Sequence, residues 1–327
     1  MSDLKVVITD YEYETTANEE RIIKEAGGTL FPTQCKTEED IIEVAHDAVG
    51  LIVQYKQITS RIMDALKNLR VISRYAVGVD TIDVAAATER GIYVANVPYY
   101  CQDEVSDHVI AMLMSFSRKI IVADRFVKSN NWDFKLTKPI HRSASTVVGF
   151  VGFGKIPKNL ASKLRALGFD LIAYAPRTDQ KTMAHYGVRK VEFEDIFNHS
   201  DFVSLHVPLN DKTRGLIGPS QLSKMKPSAY LINTARGPIV DEAALVNALQ
   251  KGEIAGAALD VVEKEPINPD NPLLKMENVI INPHMAWYSE EAQTELQTRA
   301  AENVASVLKG GVPKYWFNQK AIQDNSK

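Results

Sequence analysis

Three polar side chains of complementary chemistry stand in the second half of the chain, each at the end of a strand-like run or in the loop after one. Arg236 lies in Asn233-Thr234-Ala235-Arg236-Gly237, Glu265 in Leu259-Asp260-Val261-Val262-Glu263-Lys264-Glu265-Pro266, and His284 in Ile281-Asn282-Pro283-His284-Met285-Ala286-Trp287. A guanidinium is a planar fork of donors that fits a carboxylate. An imidazole exchanges a proton near neutral pH, and a carboxylate next to it orients the ring and stabilises its charged form. Taken singly, the bland readings are favoured: Arg236 as a surface cation, Glu265 as a solvated loop acid, His284 as a packed strand-end histidine. Together, after a dinucleotide loop, they make an arginine, a carboxylate and a histidine that one fold could bring together.

Upstream of these residues the sequence offers a loop for a dinucleotide. Thr146–Val151 is a strand-like run that leads into Gly152-Phe153-Gly154-Lys155-Ile156-Pro157 and then a helical pattern. Gly152 and Gly154 fill the first two positions of G-x-G-x-x-G, the tight turn and the close backbone approach to a pyrophosphate. Pro157 takes the third position; it suits a first helical turn but not the same close helix–strand contact. A bare G-x-G is also an ordinary strand-to-helix turn, and the strand and helix around this one favour the dinucleotide reading. The ribose-gripping carboxylate belongs about 20 residues further on. Ala175 stands there, 21 positions beyond Gly154, followed by Pro176 and Arg177. Without the carboxylate, NADP is favoured over NAD, with Arg177 on the 2′-phosphate and Thr178 and Lys181 near in sequence. Arg177 stacked on adenine or turned to solvent is the competing possibility.

The elements that must position these groups alternate. Lys5–Asp10, Gly50–Gln54, Val71–Tyr75 and Ile92–Val94 read as strands, with helices at Ala17–Gly27, from the capping box Thr37–Asp40 to Asp47, and at Thr59–Lys67 and Asp83–Arg90. After a helical stretch from Asp103 to about Asn130, a second series has strands at Thr146–Val151, Leu171–Ala175, Val188–Val191, Phe202–Val207, Tyr230–Asn233, Ala257–Val261 and Val279–Asn282. Asp241 and Gly252 should start and stop a helix over Glu242–Lys251. A last amphipathic helix, Ser289–Lys309, has no strand of its own and is expected to return to the first domain; Asp324–Lys327 should fray. The fold class is α/β, two doubly wound parallel sheets. The 327 residues match two domains, and 45% apolar with 24% charged residues match a globular chain. A net charge of −3 without a basic block argues against nucleic acid. Met1–Val6 lack the apolar core of a secretory leader, and no apolar run approaches the roughly 18 residues of a membrane span. Cys35 and Cys101, the two cysteines, are too few for a disulfide scaffold or a cysteine-based zinc site and suit a reducing cytoplasm.

Several ordered motifs resemble the D-isomer-specific 2-hydroxyacid dehydrogenase family along nearly the whole chain. Arg74-Tyr75-Ala76-Val77-Gly78-Val79-Asp80-Thr81-Ile82-Asp83 is similar to its substrate loop, and Asn96-Val97-Pro98 through Glu104 and Asp107-His108 to its interdomain crossing. Gly152–Ile156, His206-Val207-Pro208-Leu209 and Asn233–Gly237 match its cofactor-domain signatures. Tyr288-Ser289-Glu290-Glu291-Ala292 most resembles the C-terminal-binding-protein-like branch.

The resemblance implies a substrate-binding domain from residues 1–98 plus 287–327, a dinucleotide-binding domain from 99–286, and a cleft between them. It implies NAD(P)H-dependent reduction of a 2-oxo acid to a D-2-hydroxy acid, with Arg236, Glu265 and His284 catalytic and no metal. Gly152, Gly154, Lys155, Ile156, Ala175, Arg177, His206, Pro208, Thr213, Thr234, Ala235 and Asp260 line the dinucleotide, with Arg236 and His284 bordering it. Asp260 would contact the nicotinamide amide, its bland alternative being a strand-end cap. Tyr55, Val77, Gly78, Arg236, His284 and Trp287 would hold substrate. Trp287, with Tyr55, Tyr99 and Tyr100, points to bulky substrates, unless these rings are packing. Lys56 is a thin basis for a phosphorylated one. Family formate dehydrogenases carry glutamine where Glu265 stands, which disfavours that activity. The arm Cys101–Asn130 resembles a homodimerisation element, although its apolar residues also suit a core. A nucleotide-sensing corepressor-like protein is the alternative from another class.

Overall fold

The computed structural model describes residues 4–319 and Ile322. The tail Asp324–Lys327 and the leading Met1–Asp3 lie outside the described residues. The chain divides into two units, residues up to Tyr100 together with Ser289 onward, and Cys101–Tyr288. Tyr99 and Tyr100 thus fall in the first unit, Trp287 and Tyr288 in the second.

In the first unit five strands, β1 (Leu4–Ile8), β2 (Gly28–Pro32), β3 (Gly50–Val53), β4 (Val71–Arg74) and β5 (Tyr93–Ala95), form a parallel sheet in the order β2-β1-β3-β4-β5. Val7, Leu51, Val53, Ile72 and Val94 pack one face against the helices Glu38–Ala45, Ser60–Ala65 and Val84–Glu89. The capping box at Thr37 is present: its hydroxyl accepts the Asp40 N–H at 3.2 Å and the Asp40 carboxylate accepts the Thr37 N–H at 2.9 Å. The helix Glu290–Leu308 covers the other face beside Ala17–Glu25. Small alanines at 300, 301 and 305 are among its many buried residues and let it lie close to its neighbours. Asn303 Nδ2 bonds the Asn96 carbonyl at 3.2 Å, so its buried amide also ties the helix to the end of β5. Strand β2 was not expected. Gly28 opens it and Pro32 ends it, residues that depress strand propensity, yet it pairs with β1 alone, and a sheet edge tolerates both.

In the second unit seven parallel strands, β6 (Val147–Val151), β7 (Asp170–Tyr174), β8 (Arg189–Lys190), β9 (Phe202–Leu205), β10 (Tyr230–Asn233), β11 (Gly256–Leu259) and β12 (Val279–Ile281), run in the order β12-β11-β10-β9-β6-β7-β8. Period-two alternation buries both faces. Val148, Phe150, Leu171 and Ala173 meet the helices Gln102–Ser117 and Lys155–Ala166. Val151, Ile172, Leu205 and Leu231 meet Phe193–His199 and Glu242–Lys251. Asp241 caps the latter by accepting the Ala244 N–H at 3.0 Å, and Gly252 stops it with φ 68°.

The stretch expected as one helix from Asp103 to Asn130 is two, Gln102–Ser117 and Ile120–Lys128. Lys119 adopts φ 55°, and a left-handed residue ends the run of helical hydrogen bonds. Among the described residues no helix is long and apolar enough to cross a membrane.

Candidate active site

The order of the second sheet reverses between β6 and β9, and open α/β sheets bind ligands in the crevice beyond the strand ends at such a point. Gly152 follows β6 there with φ 99°, and a Cβ on it would lie 2.6 Å from the His206 carbonyl oxygen. No other residue fits. Gly154 precedes the helix Lys155–Ala166, and a Cβ on it would meet nothing within 4 Å. The glycine leaves open space above the first-turn N–H groups, including those of Lys155 and Ile156, where a pyrophosphate fits. Pro157 is buried in that first turn.

Ala175, past the end of β7, is buried at 7% exposure. Arg177 is exposed and has no partner among the described residues. Two nearby charged groups are engaged elsewhere. Asp179 accepts the Thr182 N–H at 2.8 Å and its hydroxyl at 2.7 Å, and Lys190 Nζ donates to the Thr178 carbonyl at 2.8 Å. No carboxylate in this turn stands in for the missing ribose ligand.

Beyond β9, the His206 ring lies edge-on to Phe150 and its Nε2 is 2.9 Å from Ser204 Oγ. Burial pushes its pKa down to about 3, so the imidazole is neutral. Thr213 Oγ1 donates to the Pro208 carbonyl at 2.6 Å, closing the loop after this strand. Beyond β10, Asn233 bonds Ala235 N and the Arg236 carbonyl, both at 3.0 Å, and fixes the turn that presents Arg236. The Thr234 hydroxyl is buried there with no hydrogen-bond partner among the described residues.

Glu265 and His284 meet. His284 Nδ1 lies 2.7 Å from Glu265 Oε2, and Glu265 Oε1 accepts the Val262 N–H at 3.2 Å. Burial pushes the Glu265 carboxyl up, but the His284 hydrogen bond and charge, the Val262 N–H and the nearby Arg236 guanidinium outweigh it and hold it below the usual range. The carboxylate fixes one ring nitrogen of His284 and leaves Nε2 without a partner among the described residues. The backbone of His284 is left-handed at φ 53°, which for a non-glycine residue costs about 1–3 kcal/mol and needs external support. Asp260 gives it: its carbonyl accepts the His284 N–H at 2.8 Å, and its carboxylate accepts Met285 N at 2.8 Å and Ala286 N at 3.0 Å. Asp260 is therefore the cap of this turn, whatever else it touches. Trp287 packs edge-on against Tyr288.

In the first unit the loop after β4 turns its carbonyls inward. Those of Ala76, Val77 and Gly78 accept from Val97 N at 2.9 Å, Asn96 Nδ2 at 2.6 Å and Arg74 Nη1 at 3.1 Å. The N–H groups of Val77, Gly78 and Val79 have no acceptor among the described residues. Successive N–H groups of this kind can receive an anion. Arg74, 6% exposed, also pairs with Asp80 at 2.9 Å. Tyr55 is exposed, its hydroxyl donating to Glu12 Oε1 at 2.7 Å and its N–H to Asp10 Oδ2 at 2.6 Å. Tyr99 packs on Tyr315, and Tyr100 is buried, which removes Tyr100 from the expected aromatic wall. Sequence reasoning missed the supporting parts played by Asn96, Asp10 and Glu12. They bond backbone or side chains 19 to 45 residues away and leave no periodic signal.

The NAD-binding-domain model of the D-isomer-specific 2-hydroxyacid dehydrogenases matches residues 110–286. A D-3-phosphoglycerate dehydrogenase of Archaeoglobus fulgidus is 40% identical over 278 residues, 85% of this chain and 53% of the relative, so the chain spans about half of that protein. A glyoxylate reductase of Korarchaeum cryptofilum is 38% identical over 86% of each chain. Among solved structures, an acyclic imino acid reductase in complex with NADPH and D-Arg superposes with a TM-score of 0.86 at 28% identity, over 96% of this chain and all (100%) of that one. These relatives are enzymes, and nothing in them favours the corepressor alternative. The chain belongs to the D-isomer-specific 2-hydroxyacid dehydrogenase family, NAD(P)-dependent oxidoreductases that interconvert 2-oxo and 2-hydroxy acids.

Proposed function

We propose that this protein reduces a 2-oxo acid to the D-2-hydroxy acid with His284 as general acid. The 2.7 Å contact between His284 Nδ1 and Glu265, with Nε2 left over, is the observation that carries the reading. The dinucleotide, when bound, supplies the hydride. Gly152, Gly154 and the first turn from Lys155 would hold its pyrophosphate, with Ala175, Arg177, Pro208, Thr213, Thr234 and Ala235 along its length and the neutral His206 beside it. Arg236 takes the carboxylate and ketone oxygen in its fork. As negative charge develops on that oxygen, His284 Nε2 gives it a proton. Glu265 stays ionised and holds the ring in the tautomer that leaves Nε2 free. In the reverse direction the neutral His284 is the base.

NADP is the proposed cofactor, on the buried Ala175 and the unengaged Arg177. The proposed substrate has an apolar side chain, set against Trp287; a buried apolar side chain gains about 1.5–3 kcal/mol. A homodimer is proposed on the helix Ile120–Lys128, which buries none of its residues, and on Trp132 and Phe134, exposed at 89% and 73%. A cytoplasmic location suits the two free cysteines. A panel of glyoxylate, pyruvate, phenylpyruvate and a methylthio-substituted oxo acid, each with NADPH and NADH, tests the proposal. Turnover on none of them rejects it, and higher kcat/KM on the smallest acids rejects the apolar pocket.

A further inference from the structure

His108 sits on the helix Gln102–Ser117, mostly buried and outside the groups that touch substrate or cofactor in the mechanism above. Its Nε2 lies 3.2 Å from Asn282 Oδ1 and 3.7 Å from Asp260 Oδ1. Both neighbours belong to the turn that carries His284. Asn282 starts that turn, with its N–H on the Leu259 carbonyl at 2.9 Å. Asp260 closes it, and Oδ1, the oxygen nearest His108, is the one that accepts Met285 N. A left-handed histidine relaxes toward negative φ unless its flanks are held, and relaxation would swing the imidazole off Glu265. One flank is held by the backbone N–H of Asn282 and the other by the carboxylate of Asp260, and His108 faces the side chains of both residues.

The Asp260 carboxylate is also nearly inaccessible to water, at 2% exposure of the residue, and its hydrogen-bond donors are neutral backbone N–H groups. His108 is the one basic side chain within ion-pair distance of it among the described residues. A buried carboxylate needs such a neighbour or further donors to keep its place.

We propose that His108 is a positioning residue for His284, acting through Asn282 and Asp260. The inference rests on the reading of His284 as the acid. His108 fixes where the proton donor stands and binds neither substrate nor cofactor, so its loss reads in turnover.

The test is steady-state kinetics on the full-length protein for His108→Leu, His108→Gln, His284→Ala and His108→Leu/His284→Ala. His108→Leu should lower kcat about 5- to 30-fold, the scale of a hydrogen bond to a buried polar group, with KM for substrate and cofactor within about two-fold. His108→Gln, which keeps a donor, should recover most of the loss. In the His284→Ala background the leucine should have no further effect on kcat. Unchanged kcat with a lowered Tm would make His108 purely structural and overturn the proposal. So would additive losses in the double variant, or failure of the glutamine to rescue a well-folded enzyme. Near-parental turnover in His284→Ala alone instead overturns the general-acid reading, which separates the two failures.

Discussion

Cofactor choice turns on the few atoms after β7, and the expected size of the effect can be worked out there. Arg177 is exposed and uncommitted, while Asp179 and Lys190 are tied to Thr182 and the Thr178 carbonyl. A hydrogen bond between charged groups is worth about 1.5–3 kcal/mol. Freezing a free arginine side chain draws on entropy of similar size, so the lower half of that range applies. Arg177→Ala should thus raise the KM for NADPH about 10- to 30-fold and leave that for NADH unchanged. Ala175→Asp adds the ribose ligand and repels a 2′-phosphate, contributing a comparable amount in the same direction. Together the two substitutions should move the ratio of kcat/KM for NADPH to that for NADH by about two orders of magnitude. Position 175 is buried, so the aspartate should also lower the Tm without cofactor and restore part of it with NADH. Michaelis constants at saturating 2-oxo acid decide the matter. A parent with a lower KM for NADH than for NADPH, or a double variant with unchanged preference, refutes the reasoning.

Other expectations follow from the same geometry. His284→Ala should cut kcat for 2-oxo acid reduction by about 10²–10⁴ while fluorescence titration of NADPH stays near the parent value; turnover within a few-fold of the parent removes His284 from the proton step. Burial depresses His206 from its ordinary 6.5 to about 3. Its contribution to stability is therefore whole above pH 6.5 and lost progressively as pH falls toward 3, because the unfolded chain takes up the proton first. His206→Asn should flatten the fall in Tm between about pH 6.5 and 4.5, and parallel curves would refute this. Gly152→Ala should destabilise the second unit by well over about 1 kcal/mol in urea unfolding, since the strained φ adds to the clash with the His206 carbonyl. A stable, active Gly152→Ala protein would mean that the turn rearranges.

The strands that carry chemistry were legible as short, mostly apolar runs between helical patterns, and those runs stop where the polar residues begin. Strand ends moved by one or two residues, as with Phe202–Leu205 for the expected Phe202–Val207, because a strand end is set by its neighbour's hydrogen bonds. The pairing of Glu265 with His284 was expected from the resemblance and is met at 2.7 Å. What stayed hidden depends on conformation. The left-handed Lys119 has no glycine to announce it, and the three inward carbonyls of residues 76–78 depend on Asn96 and Arg74, whose partners are backbone atoms. Nothing in composition or spacing separates an aspartate that caps a turn from one that touches a ligand, so Asp260 could not be resolved before its acceptors were located.

The first unit is assembled from the two ends of the chain, the second from one uninterrupted stretch. During synthesis the second unit has all its strands once Ile281 has emerged. The first sheet, made earlier, keeps one apolar face partly bare until Leu296, Ala300, Val304 and Leu308 arrive to cover it. The earlier-made unit is therefore the later one to close, and in that interval it is exposed to proteases and to association with other nascent chains. Silent changes that slow translation between Tyr288 and Lys309 should prolong this window without altering the finished enzyme.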